Sequence, residues 1–379
     1  MTLPNRSFFL LGPRAIGKTT WLKQCLPNAS WYNLLRTQEF LRLSNSDIFV
    51  REVSALPAGS WVVIDEIQRL PELLNEVHYL MGEFGDKYRF ALTGSSARKL
   101  KKKDVNLLAG RASTQKFFPL TYAELGKFWK LDTLLNFGCL PKIYLEEEFI
   151  NRVELLEAYA DTYLKEEILQ ESLVRNLTGF SRFLEIAGLM NGQILNASNI
   201  GRDAHISRQS VENYFKILSD TLIGFHLNAW RPRAKVKEIE HPKFYFFDPG
   251  VVRVLSGKLR SPLEKSDAGN LLETYLIHEI KAYVQYRKIG GEFYYWRTTS
   301  GIEIDLIWKR DQYCIGFEFK LSNNWKSDYN KGFKSFTESQ PLKRAIGVYS
   351  GDKLLKAGDI EIFPVEMFLQ KLWADQLIP

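Results

Sequence analysis

The stretch Leu11–Gly12–Pro13–Arg14–Ala15–Ile16–Gly17–Lys18–Thr19–Thr20 constrains this chain more than any other. It fits G-x-x-x-x-G-K-[ST] at every fixed position, with Gly12, Gly17, Lys18 and Thr19 in place. The apolar run Phe8–Leu11 before it reads as a buried strand, and Trp21–Leu22–Lys23 after it as a helix. In that context the glycines let the backbone turn so that successive N–H groups face a phosphate, and the helix N-terminus adds its dipole. The segment is expected to cradle ATP, with Lys18 on the β- and γ-phosphates and the Thr19 hydroxyl on Mg²⁺.

A partner for that loop lies downstream. Trp61–Val62–Val63–Ile64–Asp65–Glu66 is an apolar strand closing on two acids. Buried in a parallel sheet, such a strand delivers its carboxylates at the C-terminal edge, beside the phosphate loop. Asp65 is expected to orient the Mg²⁺ shell and Glu66 to activate the attacking water. Ala29–Leu34 and Asp47–Val50 read as further short strands, and Pro71 opens a helix with Leu73, Leu74, Val77, Leu80 and Met81 on one face. Tyr88–Leu92 is another strand, ending in Thr93–Gly94–Ser95–Ser96. Ser95 is the first choice for a hydroxyl aimed at the γ-phosphate, with Thr93 close behind; capping of a following helix is the other reading. The run Arg98–Lys103 either touches DNA phosphates or is a solvated face. Arg111 either reaches a neighbouring subunit's nucleotide as an arginine finger or forms a surface salt bridge.

Beyond Phe117 the texture turns helical. Thr121 and Glu124 have capping-box spacing, and Val153, Leu156, Tyr159, Ala160, Tyr163, Leu164 and Ile168 form a long stripe, read as a helical lid. From Gly179 to Phe247 the pattern is three helices and two strands, the third helix capped by Ser207 and carrying Arg208 and Gln209 at its start. Ile223–Leu227 and Lys243–Phe247 are the strands, with Arg231, Arg233, Lys235 and Lys237 between them. This is the plan of a winged helix with a basic wing, which serves either DNA or protein binding. Arg202, Arg208 and Gln209, with the four wing cations, are the candidate DNA contacts.

The last segment carries a second chemical signal. Asn270–Gln285 reads as a helix with Glu273 on an otherwise apolar face, where a carboxylate is costly to bury without a partner or metal. In Ile302–Trp308, period two puts Glu303 and Asp305 on one face; in Cys314–Lys320 it puts Glu318 and Lys320 together. The acids and Lys320 therefore converge on one side of paired strands beside a helix, unless they are edge-strand acids facing solvent. Asp305 and Glu318 are expected to hold Mg²⁺ or Mn²⁺, Glu273 to complete the site, and Lys320 to act on the water or the phosphorane charge.

The segments Gly12–Thr20, Val62–Glu66, Leu92–Ser95, Leu108–Arg111, Pro119–Leu125, Ile302–Leu306 and Phe317–Lys320 resemble archaeal and bacterial AAA-type ATPases with a C-terminal PD-(D/E)xK nuclease-like domain. The resemblance implies an α/β protein built from an AAA-like (ASCE) P-loop core at 1–115, a helical lid at 116–178, a winged helix at 179–250 and a restriction-endonuclease-like domain at 251–379. It also implies a homo-oligomer formed through the ATPase domains. The function expected is ATP hydrolysis coupled to a Mg²⁺-dependent endonuclease acting on branched or non-B DNA. The alternative is an ATP switch that binds DNA or protein through the winged helix and keeps the nuclease fold only for binding.

Composition agrees with a polyanionic partner without demanding one: the net charge is +7 over 379 residues. No apolar run reaches the ~18 residues of a membrane span. The chain enters its first strand within a few residues of Met1, which predicts no secretory signal. Cys25, Cys139 and Cys314 are far apart and lack CxxC spacing, which predicts a reducing cytoplasm and no zinc site.

Overall fold

Unbroken apolar runs, rather than alternating ones, build the first sheet, as expected of strands covered on both faces. β1 (Phe8–Leu11) is buried throughout, and Val62, Val63 and Ile64 of β3 (Ser60–Asp65) are fully buried. With β2 (Ser30–Asn33), β4 (Tyr88–Gly94) and β5 (Ser113–Lys116) they form a parallel sheet in the order β2-β3-β4-β1-β5. A computed structural model supplies these coordinates and describes residues 1–95, 108, 110–164, 176–231 and 241–379. The chain divides into two units, Met1–Pro119 with Asp220–Ile223, and Leu120–Ser219 with Gly224–Pro379.

In the first unit, Leu73, Leu74, Val77 and Leu80 of helix Leu73–Phe84 face the core, as their spacing predicts. Asp47–Val50 corrects the sequence reading. It is not a strand but part of helix Ser46–Ser54, which buries Phe49 and Val53 one turn apart. Their i, i+4 spacing overrides the β-branched character of the short run. β5 was not expected, because Ser113–Lys116 is polar; it is an edge strand with Gln115 turned inward.

The second unit begins with helices Tyr122–Leu125, Leu131–Phe137, Pro141–Tyr144 and Phe149–Ala158, and the Thr121–Glu124 capping box is formed. Val153, Leu156 and Tyr159 of the predicted stripe are buried, while Ile168 lies outside the described residues. Helices Leu131–Phe137 and Phe149–Ala158 pack against helix Pro249–Leu255, and Leu131–Phe137 also packs on the long helix Lys265–Tyr286, to which Tyr122 and Trp129 are hydrogen-bonded. Gly138 (φ 77°) makes one junction possible: a Cβ there would lie 2.0 Å from the Asp248 carboxylate. Asp248 in turn caps helix Pro249–Leu255 through the Val251 N–H (3.0 Å) and accepts from the Cys139 N–H (2.5 Å).

Three helices follow, Leu177–Leu189, Ala197–Asp203 and Arg208–Asp220. Asn176, Asn196 and Ser207 each accept from a first-turn N–H, which fixes the three starts. Phe180, Phe183, Tyr214, Phe215 and Phe244 interlock edge to face in their core. β6 (Gly224–Ala229) and β7 (Lys243–Phe246) are antiparallel, as the spacing predicts. β6 also pairs in parallel with β8 (Glu292–Arg297), so the hairpin closes one edge of a larger sheet. β9 (Glu303–Arg310), β10 (Tyr313–Lys320), β11 (Arg344–Tyr349), β12 (Leu355–Ala357) and β13 (Ile360–Pro364) complete it in the order β12-β13-β11-β10-β9-β8-β6-β7. The long helix and the last helix, Val365–Trp373, pack on one another and on this sheet. Glu279 is buried between them, accepting from the Trp373 indole (2.7 Å) and from the Tyr122 N–H (2.7 Å).

Candidate functional site

In the first unit, β1, β3 and β4 end side by side and bring the predicted residues together. The loop leaving β1 passes through two left-handed residues, Ala15 (φ 61°) and Gly17 (φ 98°), which turn it into helix Lys18–Cys25. Gly12 lets it pass β5: a Cβ there would lie 2.5 Å from the Phe117 carbonyl. Lys18 is curled into the loop and donates to the carbonyls of Gly12 (2.7 Å) and Pro13 (2.8 Å). The Thr19 hydroxyl donates to both Asp65 oxygens at 3.0 and 3.2 Å. A hydroxyl beside a carboxylate is the oxygen donor set that Mg²⁺ takes alongside phosphate and water, so these two residues fit the ion.

β4 supplies the rest. Thr93 donates to Asp65 (2.5 Å) and accepts from the Glu66 N–H (3.0 Å). Glu66 is buried and sits at φ 63°, a conformation costly for a residue with a side chain. The Gln68 amide donates to the Glu66 carboxylate and to the Ser95 hydroxyl (3.0 Å). Both hydroxyls weighed from the sequence therefore engage the acids, Thr93 directly and Ser95 through Gln68. Gln68 was missed; its only signal is its place two residues beyond Glu66, in the turn Ile67–Arg69. Arg111 is exposed and donates to the His78 carbonyl at 3.3 Å. Ser96 and the run Arg98–Lys103 lie outside the described residues.

The second unit holds an open cleft of about 780 Å³, into which the long helix, β7, β9 and β10 each send charged side chains. Lys320 bridges Asp305 (3.3 Å) and Glu318 (2.5 Å), and the Phe319 N–H donates to Asp305 (2.7 Å). Among the described residues, Glu318 Oε2 is buried and finds no hydrogen-bond partner, an arrangement that costs free energy unless a cation or donor arrives. Glu273 feels the Asp305 charge but takes its hydrogen bonds from elsewhere. It accepts from Lys243 (3.3 Å) and from the Tyr245 hydroxyl, and Lys243 also pairs with Glu303. Arg297 reaches the other Glu303 oxygen at 3.2 Å. The cleft thus contains two carboxylate pairs, each bridged by one ammonium. Lys243 was missed because it opens the aromatic run Phe244–Phe247 and reads only as the start of a strand.

Electrostatics follow the pairing. Burial, with help from Asp305, raises the Glu318 carboxyl well above its ordinary range against the opposing Lys320. Burial pushes Glu273 up to about 7, with Lys243 opposing. For Lys243 burial acts to lower the ammonium pKa, but Glu273, Tyr245, Glu303 and Asp305 together hold it well above the usual value. Among the described residues no three acid, histidine or cysteine side chains stand ready as a cation cage, which is consistent with ammoniums lying between the acids. An orphan Glu318 oxygen beside Asp305 nevertheless fits one hard divalent ion.

Arg202, Arg208 and Gln209 are exposed on the three-helix segment. Arg202 donates to Asn199 (2.7 Å) and Arg208 pairs with Glu212 (2.8 Å) in solvent, a contact of little energetic weight. Arg231 is exposed at the end of its segment, and Arg233, Lys235 and Lys237 lie outside the described residues. Among the described residues no helix is long and apolar enough to cross a membrane.

Comparison with known proteins marks three segments. Residues 4–126 match an AAA domain, 128–261 the domain of unknown function DUF8612, and 268–368 the domain of unknown function DUF4143. Uncharacterized proteins of Mycobacterium bovis and Mycobacterium tuberculosis are each 24% identical over 375 residues, covering 97% of this chain and 82% of theirs. An uncharacterized protein of Methanocaldococcus jannaschii is 24% identical over 275 residues, covering 65% of this chain and 61% of its own. Among solved structures, the ORC2 protein of Aeropyrum pernix aligns at 12% identity over 72% of this chain and 89% of its own, with a TM-score of 0.38. Cdc6p of Pyrobaculum aerophilum aligns at 12% identity over 67% and 86%, with a TM-score of 0.26. These scores are too low to read a shared whole-chain fold from them. The phosphate loop, the Asp–Glu strand end and the parallel sheet of the N-terminal unit agree with the match of residues 4–126 to an AAA domain.

Proposed function

We propose that this protein hydrolyses ATP in its N-terminal unit and uses that cycle to control a Mg²⁺-dependent DNA endonuclease in its C-terminal unit, acting on branched or otherwise non-B DNA. Lys18 would leave the Gly12 and Pro13 carbonyls for the β- and γ-phosphates, and Thr19 with Asp65 would hold Mg²⁺. Glu66 would take the proton of the attacking water, with Gln68, Thr93 and Ser95 fixing its position. Mg²⁺ supplies charge neutralisation at the phosphates; the chain supplies the base and its alignment.

For the second activity, Asp305 and Glu318 would bind one divalent ion. Lys320, one-quarter exposed, paired with those two acids and lying over the Tyr329 ring, would turn to the phosphate once the ion is held. The observation that carries this reading is the convergence of Asp305, Glu318 and Lys320 in one cleft, with a buried Glu318 oxygen left without a hydrogen-bond partner among the described residues. Exposed Arg202, Arg208 and Gln209 would meet the DNA backbone. The test is incubation of the full chain with labelled linear, forked and four-way DNA in Mg²⁺, Mn²⁺ or EDTA. Metal-dependent cleavage lost in Asp305→Ala and Lys320→Ala is expected, with ATPase activity retained in both. Intact DNA under every condition would overturn the endonuclease.

A second reading has its own observation. Because Lys243 and Lys320 already lie between the two acid pairs, the cleft could be a DNA-binding surface without chemistry. Binding of the same substrates without cleavage would select it.

A further inference from the structure

We propose that Lys243 is the second cation of the C-terminal cleft, a fixed ammonium that leaves room for only one divalent ion. This rests on the metal-binding reading above and adds how many ions the cleft takes and which residue sets the number. Enzymes that cleave phosphodiesters with two metals hold them about 3.5–4 Å apart between shared carboxylates. Here the acids are already sorted into two pairs, Asp305 with Glu318 and Glu273 with Glu303, and each pair holds one lysine.

The two lysines differ in their freedom to leave. The Lys320 side chain is 27% exposed, whereas that of Lys243 is 5% exposed. Lys243 lies over the Tyr295 ring at 5.3 Å, Tyr245 shares its Glu273 oxygen, and Arg297 holds the other Glu303 oxygen. Its backbone is pinned as well, since β7 pairs with β6 and Lys243 bridges Ile194. An incoming ion can therefore displace Lys320 into the open cleft, but displacing Lys243 would bury an ammonium without a partner. Among the described residues, the Glu318 oxygen is buried without a hydrogen-bond partner, at the pair where this argument places the ion. Lys243 is a positioning residue: it holds a fixed positive charge between Glu273 and Glu303, beside the ion at Asp305 and Glu318.

The test is to count bound Mn²⁺ by electron paramagnetic resonance in the nucleotide-free full chain, in an Asp65→Asn background that removes the P-loop ligand. One ion is expected with native Lys243, lost on adding Glu318→Gln. Two are expected in Lys243→Met, the added one lost on further Glu273→Gln. One ion both with and without Lys243→Met overturns this inference and leaves the metal reading standing. No ion in either protein overturns both. Should Lys243→Met fail to give a native circular dichroism spectrum, the count with native Lys243 still decides, because two ions there overturn the inference.

Discussion

Glu279 allows a sharp test of the packing described above. It is fully buried, and its two oxygens accept from the Tyr122 N–H and the Trp373 indole. Burial pushes its carboxyl up to about 7, against the lowering effect of those donors. The raised value means that the folded chain keeps a proton which the unfolded chain, with an ordinary carboxyl near 4.3, has lost. That stabilisation is full below about pH 4 and disappears as pH rises through 7. Integrating between pH 5 and pH 8 at about 1.4 kcal/mol per pKa unit gives a loss of roughly 2.5 kcal/mol. Glu279→Gln is neutral throughout and escapes this loss. It instead turns an amide NH₂ toward one of the two donors, which costs about 1–3 kcal/mol at every pH. The stability advantage of Glu over Gln should therefore shrink by roughly 2.5 kcal/mol from pH 5 to pH 8. Urea titrations of both proteins at the two pH values, followed by tryptophan fluorescence, measure it, and groups common to both proteins cancel. An advantage that is equal at both pH values, or larger at pH 8, would refute the buried-acid argument.

The nucleotide site yields three further predictions. Glu66→Gln should bind ATP with affinity near that of the native chain and hydrolyse it about 10²–10⁴-fold more slowly, read by filter binding and phosphate release. Thr93→Val removes the acceptor of the buried Glu66 N–H and a donor to Asp65, so it should lower both kcat and stability, the latter by about 1–3 kcal/mol in thermal melts. Arg111→Ala should lose hydrolysis but keep ATP affinity if Arg111 completes a neighbour's site, and mixing with Glu66→Gln subunits should partly restore turnover. Failure at every mixing ratio would leave Arg111 as a tie to the His78 carbonyl.

What could be read from the residues alone was what local periodicity and fixed spacing encode. Gly12 to Thr19 and Val62 to Glu66 are contiguous, so their geometry is written in one line of sequence. Period two likewise put Glu318 and Lys320 on one face of their strand, while bringing Asp305 to that face took the register of β9 against β10. Asp47–Val50 failed because a short apolar run fits either a strand or one helical turn, and Phe49 with Val53 needed the whole helix to show their face. Contacts between remote segments were invisible for a different reason. Nothing near Lys243 in sequence announces Glu273 or Glu303, and nothing near Gly138 announces Asp248. Gln68 was overlooked because an uncharged amide carries no chemistry until its neighbours Glu66 and Ser95 are in place.

The position of β6 between β7 and β8 has a mechanical consequence. The turn after helix Leu177–Leu189 is sewn to β7 by the Gly192 N–H on Phe244, the Leu195 N–H on Pro242 and the Asn191 side chain on the Phe246 N–H. β7 is sewn to β6, and β6 to β8. A pull on the three helices is thus not taken up by a slack tether. It loads rows of backbone hydrogen bonds in shear, where several must break together before anything yields. The helices and the acidic cleft should move as one stiff part, with any hinge in this protein lying elsewhere.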